Sequence, residues 1–505
     1  MESEKIEEIE LDNQNAVLMK VAGLYASHLL SDILLVVGET SYPAHRVILS
    51  ASSEVFSCML LNPQWQECKE SVIHLVEDPK SCRVFPQFLK YLYTGQVRVS
   101  IESAMPLLSL ADKYNIKDLI VLCREYMSKS IAIAARQGFL ISWLQYTLSF
   151  SYHQAITNEM KNFLRLNIDI VGYSRDFQDI DPNNLVMLLQ QNDLVIKNEA
   201  ALFDIVERWL MIKREQIEHE ESLSDEEKGA HMKSLIEGIC VHIRFPMMTV
   251  SELASIPLKA ITAYDKEFFC DRMSLGMSFH AKQPYRHEGD EQEANLQYTP
   301  RLYTSDVFCL EMKVEEIHNV ENYKNFGACF FSLSEFPYNS DDGESNKKSN
   351  LLKFLINFNF SESSVQWEID FFPRGIRYSR AQLINVYSTP HSTGKVEVPE
   401  SILRTIRVRC TCKSNLEEEQ RFKIAVLVSG IQNNVTHVKT LHTRTNYFSR
   451  ENRVINIDNL VPYDELSTDS SVYLIGKDRD TVQINVIITP LQQGLAQDAP
   501  SFEFK

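Results

Sequence analysis

The spacing of apolar residues divides the chain into three regions with different secondary structure. From about residue 16 to 130, short β-branched runs such as ILLVV alternate with helical spacings such as FPQFLKYL. From about 131 to 275 the helical period continues almost throughout, and from 297 to 492 the period changes to two, as in ILRTIRVRC and TVQINVIITP. The pattern therefore predicts an α+β domain, an all-α domain and an all-β antiparallel sandwich, in that order.

Capping signals indicate where several helices begin. Asp78-Pro79 and Asp181-Pro182 each place a helix N-cap before a first-turn proline. Pro86 lies inside the first of these helices and is expected to kink or shorten it. In the second region, the acidic run EQIEHEESLSDEEKGA predicts a solvated loop between two helices.

Polar stretches separate the domains and flank them. HAKQPYRHEGDEQEANLQ predicts a linker between the helical region and the sandwich, and MESEKIEEIELDNQN predicts an acidic tail. The complete predicted division is a tail over 1–15, a first domain over 16–130, a helical domain over 131–275, a linker over 276–296, a sandwich over 297–492 and a tail over 493–505.

Length and charge narrow the range of functions. At 505 residues the chain is long enough for about three domains. Its net charge of −17 repels phosphate backbones, and the sequence shows neither a basic stripe nor the Cys/His spacing of zinc fingers. We therefore expect no nucleic-acid partner, which argues against a transcription factor.

The N-terminus and the cysteines bear on the cellular compartment. The first residues are acidic, whereas a secretory signal begins with a basic segment followed by an apolar one. No run of about 18 apolar residues lacks a charge, so we expect no membrane span. The ten cysteines include no Cys-x-x-Cys pair, which favours reduced thiols over a disulfide framework or a zinc site. We expect a cytoplasmic protein that can also occur in the nucleus.

Common enzyme motifs are absent from the sequence. It contains no Gly-x-x-x-x-Gly-Lys-Ser/Thr, Gly-x-Ser-x-Gly or His-Glu-x-x-His motif. His45 has no recognisable nucleophile beside it. We therefore predict a non-enzymatic protein with no catalytic residue, no metal site and no cofactor.

An apolar surface is predicted before the first strand. Residues 16–30 have the pattern of an amphipathic helix whose apolar positions include Val17, Val21 and Leu24. A small domain has little core left to cover these side chains, so we expect the helix to pack against a second copy of the chain. The alternative is that the helix folds back onto its own domain.

A second surface is predicted in the segment LLNPQWQE, residues 60–67, which we call the docking loop. Asn62 and Pro63 end an apolar helix, so the loop displays Trp65 with Glu67 two residues later. An exposed indole beside a carboxylate is typical of a protein-docking site. Alternatively, Trp65 is a core aromatic residue that covers the end of the helix.

The first region resembles a BTB/POZ domain. The resemblance rests on AHRVILS at 44–50, YLYTG at 91–95 and LADKY at 110–114, together with Asp32 before the first strand. These motifs have the order and spacing of the family over roughly 110 residues. The resemblance implies a dimerising α+β domain.

The other two regions also resemble known domains. NLVMLLQQNDLVIKNEAALFDIVERWL and the later IRFP resemble the BACK domain, which usually follows BTB in adaptor proteins. WEIDFFPRG at 367–375 resembles a strand and turn of the TRAF/MATH family. The resemblances together imply an α+β BTB/POZ domain, an all-α BACK domain and an all-β TRAF-like sandwich.

The BTB resemblance also implies residues of a dimer interface. It places Asp32 and Arg46 beside that interface as an ion pair, in addition to the apolar positions Val17, Val21 and Leu24. A buried ion pair stabilises a protein little, but loss of one partner costs about 3 to 5 kcal/mol. We therefore expect the pair to specify the fold and the dimer.

The same resemblance implies a site for cullin-3. BTB proteins that recruit this cullin carry a hydrophobic-x-Glu motif in the docking loop, and Trp65 and Glu67 match it. By the same resemblance Phe56, Met59 and Tyr114 line the cullin surface. These five residues are the predicted cullin-binding set.

The predicted function is that of a non-catalytic adaptor in a cullin-3 ubiquitin ligase. A homodimer would bind cullin-3 through the first two domains, and the sandwich would recruit an unidentified protein substrate through loops or edge strands. One alternative is a scaffold that does not bind a cullin. The other is a secreted multivalent scaffold, which the glycosylation sequons at Asn359 and Asn434 suggest and which requires an upstream signal peptide.

Overall fold

A computed structural model describes residues 13–281, 296–305, 307–313, 315, 324–331, 365–377, 404–416, 418–468 and 471–491. Most of the two predicted tails, residues 282–295 of the predicted linker, and the sequon at Asn359 lie outside the described residues. The chain forms two compact units. The first contains 13–134 and 142–160, and the second contains 135–141 and the described residues from 161 onward.

The α-helices that lie wholly within the described ranges are found between residues 14 and 280. They are α1 (Gln14–Ser27), α2 (Arg46–Ser52), α3 (Glu54–Leu61), α4 (Pro79–Thr94), α5 (Ile101–Lys113), α6 (Lys117–Ser128), α7 (Ile131–Gln137), α8 (Leu140–Leu148), α9 (Gln154–Leu166), α10 (Ile168–Val171), α11 (Pro182–Leu189), α12 (Glu199–Glu218), α13 (Asp225–Cys240), α14 (Val250–Ser255) and α15 (Lys266–His280).

Most of the strands lie in the last third of the chain. They are β1 (Ile33–Val37), β2 (Thr40–Ala44), β3 (Val72–Leu75), β4 (Val195–Ile196), β5 (Leu302–Tyr303), β6 (Phe308–Lys313), β7 (Lys324–Phe331), β8 (Val365–Arg377), β9 (Arg404–Cys412), β10 (Gln420–Gln432), β11 (Val435–Phe448), β12 (Val454–Ile457) and β13 (Thr481–Leu491).

The first unit packs helices against a three-stranded sheet. The strand order is β2-β1-β3, with β1 antiparallel to β2 and parallel to β3. Alternate residues of β1 are buried, as its apolar sequence requires for a strand with helices on one face. Leu35, Phe85 and Phe88 form part of the core and are fully enclosed.

Helix α4 begins as predicted and does not shorten at its internal proline. The side chain of Asp78 accepts hydrogen bonds from the backbone N–H groups of Lys80 and Ser81. The helix then continues through Pro86 to Thr94, so the expectation of a shortened helix was wrong. Burial of its apolar face, which includes Phe85, outweighs the one hydrogen bond that a proline removes.

In the second unit, helices replace most of the predicted acidic loop. Helix α12 ends at Glu218 and α13 begins at Asp225, which leaves only residues 219–224 between them. A capping box starts α13, because Ser224 and Glu227 each accept a hydrogen bond from the other's backbone N–H group. The loop prediction was therefore wrong for most of its length.

The sandwich consists of two antiparallel four-stranded sheets. Their strand orders are β11-β10-β13-β6 and β12-β9-β8-β7. Trp367 is fully buried between them, with the rings of Phe422 and Phe448 at 5.1 and 4.8 Å from its own. Cys410 and Cys412 face the same core from β9. The predicted fold class is confirmed for all three regions.

The predicted linker is shorter than the sequence suggested. Helix α15 extends to His280, so residues 276–280 belong to the helical domain. After residue 295 the chain contacts the helical domain again, since the buried amide of Gln297 donates to the carbonyl oxygen of Val241 at 2.6 Å. Two residues of β5 then pair in parallel with β4.

A buried charge cluster holds this returning segment. The Glu199 carboxylate accepts hydrogen bonds from Arg301 Nε at 3.2 Å, from the Tyr303 hydroxyl at 2.7 Å and from the backbone N–H of Arg244 at 2.8 Å. Burial by itself would raise the pKa of Glu199, but Arg301, Arg244 and Tyr303 outweigh it and hold that pKa below its ordinary value. The carboxylate is therefore ionised and compensates two enclosed guanidinium groups.

Replacement of Glu199 by Gln should destabilise the chain by about 3 to 5 kcal/mol, because it leaves two buried arginines without a counter-charge. Urea unfolding of the full chain at pH 7, followed by circular dichroism, measures this change. The matched control is Glu215→Gln on the same helix, where an exposed side chain should change stability by less than about 0.5 kcal/mol. Equal effects of the two substitutions would contradict the role given to Glu199.

Candidate protein-interaction sites

The N-terminal helix α1 presents apolar side chains to solvent. Val17 and Leu18 are 60% and 63% exposed, whereas Val21 and Leu24 are half-buried. The C-terminal half of the helix is held by Tyr25, whose hydroxyl donates to the carbonyl oxygen of Pro86 at 3.0 Å. The helix is thus anchored at one end and leaves its first turns uncovered. Of the three predicted dimer positions only Val17 lies in this uncovered part, and the dimer stays a prediction.

His45 is buried and binds backbone and hydroxyl groups. Its Nε2 lies 2.8 Å from the Leu29 carbonyl oxygen, which can only accept, so Nε2 carries the proton. Its Nδ1 then accepts from the Tyr93 hydroxyl at 2.8 Å, and the same oxygen accepts from the His45 backbone N–H at 3.0 Å. Burial raises the pKa of Tyr93 to about 12, so the hydroxyl keeps its proton. His45, which follows β2, therefore connects this strand to α4 through Tyr93 and to the segment after α1 through Leu29.

Asp32 and Arg46 are neighbours, but their contact differs from the expected ion pair. The Asp32 carboxylate accepts from the backbone N–H of Arg46 at 2.9 Å, at the start of α2. The Arg46 guanidinium instead donates to the carbonyl oxygens of Leu60 at 3.1 Å, of Glu67 at 3.2 Å and of Glu70. The planar guanidinium group has five N–H donors, so it can bind several carbonyl oxygens at once. An arginine is therefore well suited to this position.

These bonds brace the docking loop from both ends. Leu60 lies in the last turn of α3 and Glu67 lies in the short 3₁₀ turn after Trp65. Inside the loop, the Trp65 backbone N–H donates to the Asn62 carbonyl at 3.0 Å. The loop therefore has a defined shape, and Arg46 supports it from beneath.

Trp65 is displayed at the surface. Its side chain is 49% exposed, and Glu67 is half-buried beside it. The alternative interpretation, a core aromatic at the end of the helix, was wrong, because the end of α3 is filled by Leu60 instead. Whether the indole and the carboxylate bind a cullin stays a prediction.

The other predicted cullin contacts differ in accessibility. Met59 is half-buried on α3, whereas Phe56 and Tyr114 are buried and stack with ring centroids 4.4 Å apart. The Tyr114 hydroxyl donates to Glu77 at 2.6 Å, and burial with this carboxylate raises the tyrosine pKa. These two rings support the surface from below, and their predicted role in cullin binding stays untested.

Sequence reasoning did not single out two exposed apolar residues, of which Leu61 lies in the docking loop and Val55 lies at the other end of α3. Val55 and Leu61 are 37% and 56% exposed at the two ends of α3. The signal was present, because Phe56 and Leu60 form the buried stripe and leave Val55 and Met59 on another face, four residues apart.

A histidine–carboxylate pair in the first unit is enclosed. His153 Nε2 lies 2.9 Å from Asp112 Oδ2, which also accepts from the Tyr146 hydroxyl at 2.7 Å. The His153 side chain has no solvent exposure and is packed by the rings of Phe150 and Tyr152. Such a pair has no access to a substrate, and its geometry supports the packing of α5 against the residues after α8.

The sandwich carries a pocket among its described residues. It has a volume of about 430 Å³ and lies where β9 begins. Its lining combines Arg404, Asn459 and Tyr463 with the carboxylates Asp464 and Glu465. The mixture of charge and aromatic surface suits a protein segment better than an apolar small molecule.

The described ranges contain neither a metal-ligand cluster nor a membrane-spanning helix. There, three or more His, Cys, Asp or Glu side chains do not come together in a way that could hold a metal ion. Within the same ranges, each helix is too short or too polar to cross a membrane.

Each of the three regions matches a domain family. Residues 22–131 match the BTB/POZ domain, residues 140–256 match BACK (BTB And C-terminal Kelch), and residues 298–492 match the BTBD17 TRAF domain. The order of the matches agrees with the fold of the two units.

Curated relatives match about half of the chain. BTB/POZ domain-containing protein 17 of Xenopus laevis is 30% identical over 263 residues, which cover 52% of this chain and 51% of that protein. The human protein of the same name is 27% identical over 301 residues, or 58% of this chain and 57% of that protein. Human Kelch-like protein 24 is 25% identical over 187 residues, or 36% and 29%.

The chain spans about half the length of the curated relatives that it matches. The three domain matches nevertheless extend across the first unit, the helical domain and the sandwich. The chain therefore carries a BTB/POZ domain, a BACK domain and a C-terminal TRAF domain, and it is similar to the vertebrate proteins named BTB/POZ domain-containing protein 17.

Proposed function

We propose that this protein is a substrate adaptor of a cullin-3 ubiquitin ligase. The observation that carries the proposal is the docking loop, in which Arg46 braces both ends and Trp65 stands half exposed beside Glu67. BTB and BACK domains generally occur in non-catalytic adaptors, and a Kelch-like protein is among the relatives. The adaptor contributes proximity between a ubiquitin-loaded partner and a substrate.

The sandwich is the proposed receptor for the substrate. TRAF-like domains resemble one another in binding extended segments at a sheet edge, and β12 is an edge strand of this sandwich. Val454 on this strand is exposed, and the pocket of about 430 Å³ begins shortly after it at Asn459. We propose that a substrate segment adds to β12 and reaches into this pocket.

A homodimer is proposed to form through α1. Three adjacent apolar side chains, Val17, Leu18 and Met19, are exposed on its first turns. Burial of apolar surface contributes about 25 cal/mol for each Å², so a pair of such helices supplies a substantial driving force. A dimer would present two docking loops and two sandwiches to multivalent partners.

A cytoplasmic or nuclear location is proposed for the protein. Nine of the ten cysteines are free thiols in the structure, including the exposed Cys58, Cys270 and Cys309, which favours a reducing compartment. The secreted scaffold is the second candidate, because Asn434 of one sequon is exposed in the turn between β10 and β11. A shift in gel mobility after glycosidase treatment of the natively expressed protein would favour that candidate, and no shift is expected.

The double substitution Trp65→Ala with Glu67→Ala should weaken binding of the purified cullin-3 N-terminal domain by at least about 30-fold, since loss of an interface tryptophan typically costs 2 kcal/mol or more. The dissociation constant is measured with the cullin domain immobilised on a surface and the 505-residue chain in solution. Gln64→Ala, an exposed change in the same loop, is the matched control and should bind like wild type. A folded wild type that fails to bind would refute the adaptor.

The double substitution Val17→Asp with Leu18→Asp should convert the dimer to a monomer, because it places four carboxylates in one apolar contact. Light scattering of the full chain measures the mass. Val121→Asp on α6 is the control, since that apolar side chain is also exposed and should leave the mass unchanged. A variant that remains dimeric would show that α1 does not form the interface.

A further inference from the structure

Strand β10 is buried on both of its faces. Ile424, Val426 and Val428 face the core of the sandwich, whereas Ala425 and Leu427 face the opposite way and are equally buried. A strand of an antiparallel sheet at the surface normally alternates apolar and polar residues. A strand that is apolar on both faces therefore needs a packing partner on each face. The second cover comes from Leu166 and Val195 of the helical domain and from Leu302 of the segment that returns to it.

The edge strand beside β10 receives a contact from the same domain. Asn167, at the start of α10, donates from Nδ2 to the Val438 carbonyl oxygen at 2.9 Å and accepts from the Val438 N–H through Oδ1 at 2.7 Å. A second bond from Nδ2 to the Phe163 carbonyl at 3.1 Å fixes the amide plane. One side-chain amide thus makes the pair of bonds that a neighbouring strand would make to Val438.

The position of the contact coincides with a β-bulge. Val428 pairs with Thr440 and Ser429 pairs with Val438, so Lys439 is the extra residue of β11. The bulge brings Lys439 close to Gly430, where a Cβ would lie 2.8 Å from the lysine side chain and from the Val472 carbonyl oxygen. A glycine is therefore required opposite the bulge, and the bulge bends the edge at the point where Asn167 meets it.

A ring contact continues the interface beyond Asn167. Phe163 on α9 lies 5.2 Å from the ring of His437, the residue before Val438. Burial lowers the pKa of His437, so the ring is neutral and suited to an apolar neighbour. The apolar patch, the Asn167 contact and this ring pair lie on one side of the sandwich, on the sheet that contains β10 and β11.

We propose that Asn167 is a positioning residue that closes the edge of β11 by imitating a neighbouring strand. The helical domain and the sandwich then form one body, whose association does not depend on the covalent connection through residues 282–295. An exposed edge strand is a template for pairing with other chains, and a fixed amide at Val438 blocks such pairing there. The inference does not depend on cullin binding.

A consequence concerns the surface that remains for ligands. One sheet, β11-β10-β13-β6, has its outer face committed to the helical domain around β10 and its outer edge occupied at Val438. An extended segment that pairs with the sandwich is therefore excluded from β11 at Val438, and the other edge strands are β6 of the same sheet and β12 and β7 of the second sheet. The helical domain thus removes one binding edge without contacting the ligand.

Hydrogen–deuterium exchange of the full chain tests the contact at single-residue resolution. In the wild type the Val438 amide should be protected, and in Asn167→Ala it should exchange at least about tenfold faster because its acceptor is gone. Asn167→Ser is the second variant, since serine keeps a side chain suited to a helix start but is too short to reach Val438. Asn183→Ala, at an exposed position near the start of α11, is the control and should leave this amide unchanged.

The two variants also separate positioning from general stability. If Asn167 acts as proposed, exchange accelerates at Val438 while amides of the sandwich core, such as that of Ile424, keep their wild-type rates. A wild-type Val438 amide that exchanges as fast as an exposed loop would overturn the proposal. Uniform acceleration across the sandwich, with no excess at Val438, would also overturn it.

A cut chain tests whether the two domains form one body. A protease recognition sequence inserted within residues 282–295 allows cleavage of the folded full-length protein. The two pieces should co-elute in size-exclusion chromatography, because the buried Glu199 and Arg301 pair lies on opposite sides of the cut and the apolar patch persists. The Asn167→Ala pieces should separate more readily on dilution. Separation of the wild-type pieces would refute the single body.

Discussion

The passage from the helical domain to the sandwich depends on one enclosed carboxylate. Glu199 starts α12, yet its partners Arg301 and Tyr303 arrive about a hundred residues later in the chain. Buried charges are tolerated only when each finds its counter-charge and hydrogen bonds. The segment after the linker must therefore return to the helical domain, and this return brings β5 to β4 and the sandwich to the patch around Leu166.

Within the first unit, the neighbouring polar residues His45 and Arg46 make hydrogen bonds to backbone groups. His45 binds the Tyr93 hydroxyl and the Leu29 carbonyl. The Arg46 guanidinium donates hydrogen bonds to backbone carbonyls at the two ends of the docking loop. Unsatisfied carbonyls at helix ends and tight turns are costly, so these side chains give the loop its shape. Apolar side chains such as Trp65 and Val17 are nevertheless exposed in this unit, as is common at sites that bind other proteins.

The protein thus combines rigid supports with uncovered apolar surfaces. The candidate sites of the first unit lie on α1 and α3, whereas the pocket and the β12 edge belong to the sandwich of the second unit. Enclosed titratable groups, such as His153 with Asp112 and Glu199 with Arg301, are paired with each other within the protein. Buried groups that pair internally and exposed sites that can bind other proteins are consistent with the proposed adaptor, which would hold its partners near one another.

Local sequence was sufficient for the order of the domains, the period of each region and several helix starts. The caps at Asp78 and Asp181 and the apolar runs of the sandwich depend on neighbours within a few residues, so pattern reasoning identified them. It mistook the start of α13 for a loop, because the acidic residues that suggest solvent also favour a helix N-terminus, where Ser224 and Glu227 cap each other.

Other features are set by groups that meet only in the folded chain. The sequence by itself determined the domain families, the apolar character of α1 and the position of Trp65 in a loop. Tertiary structure decided that Arg46 binds carbonyls instead of Asp32, that Phe56 and Tyr114 are buried, and that Asn167 closes the edge of β11. The physical reason is that a hydrogen-bonding side chain takes whichever partner the fold leaves unsatisfied, and these partners lie tens to hundreds of residues away.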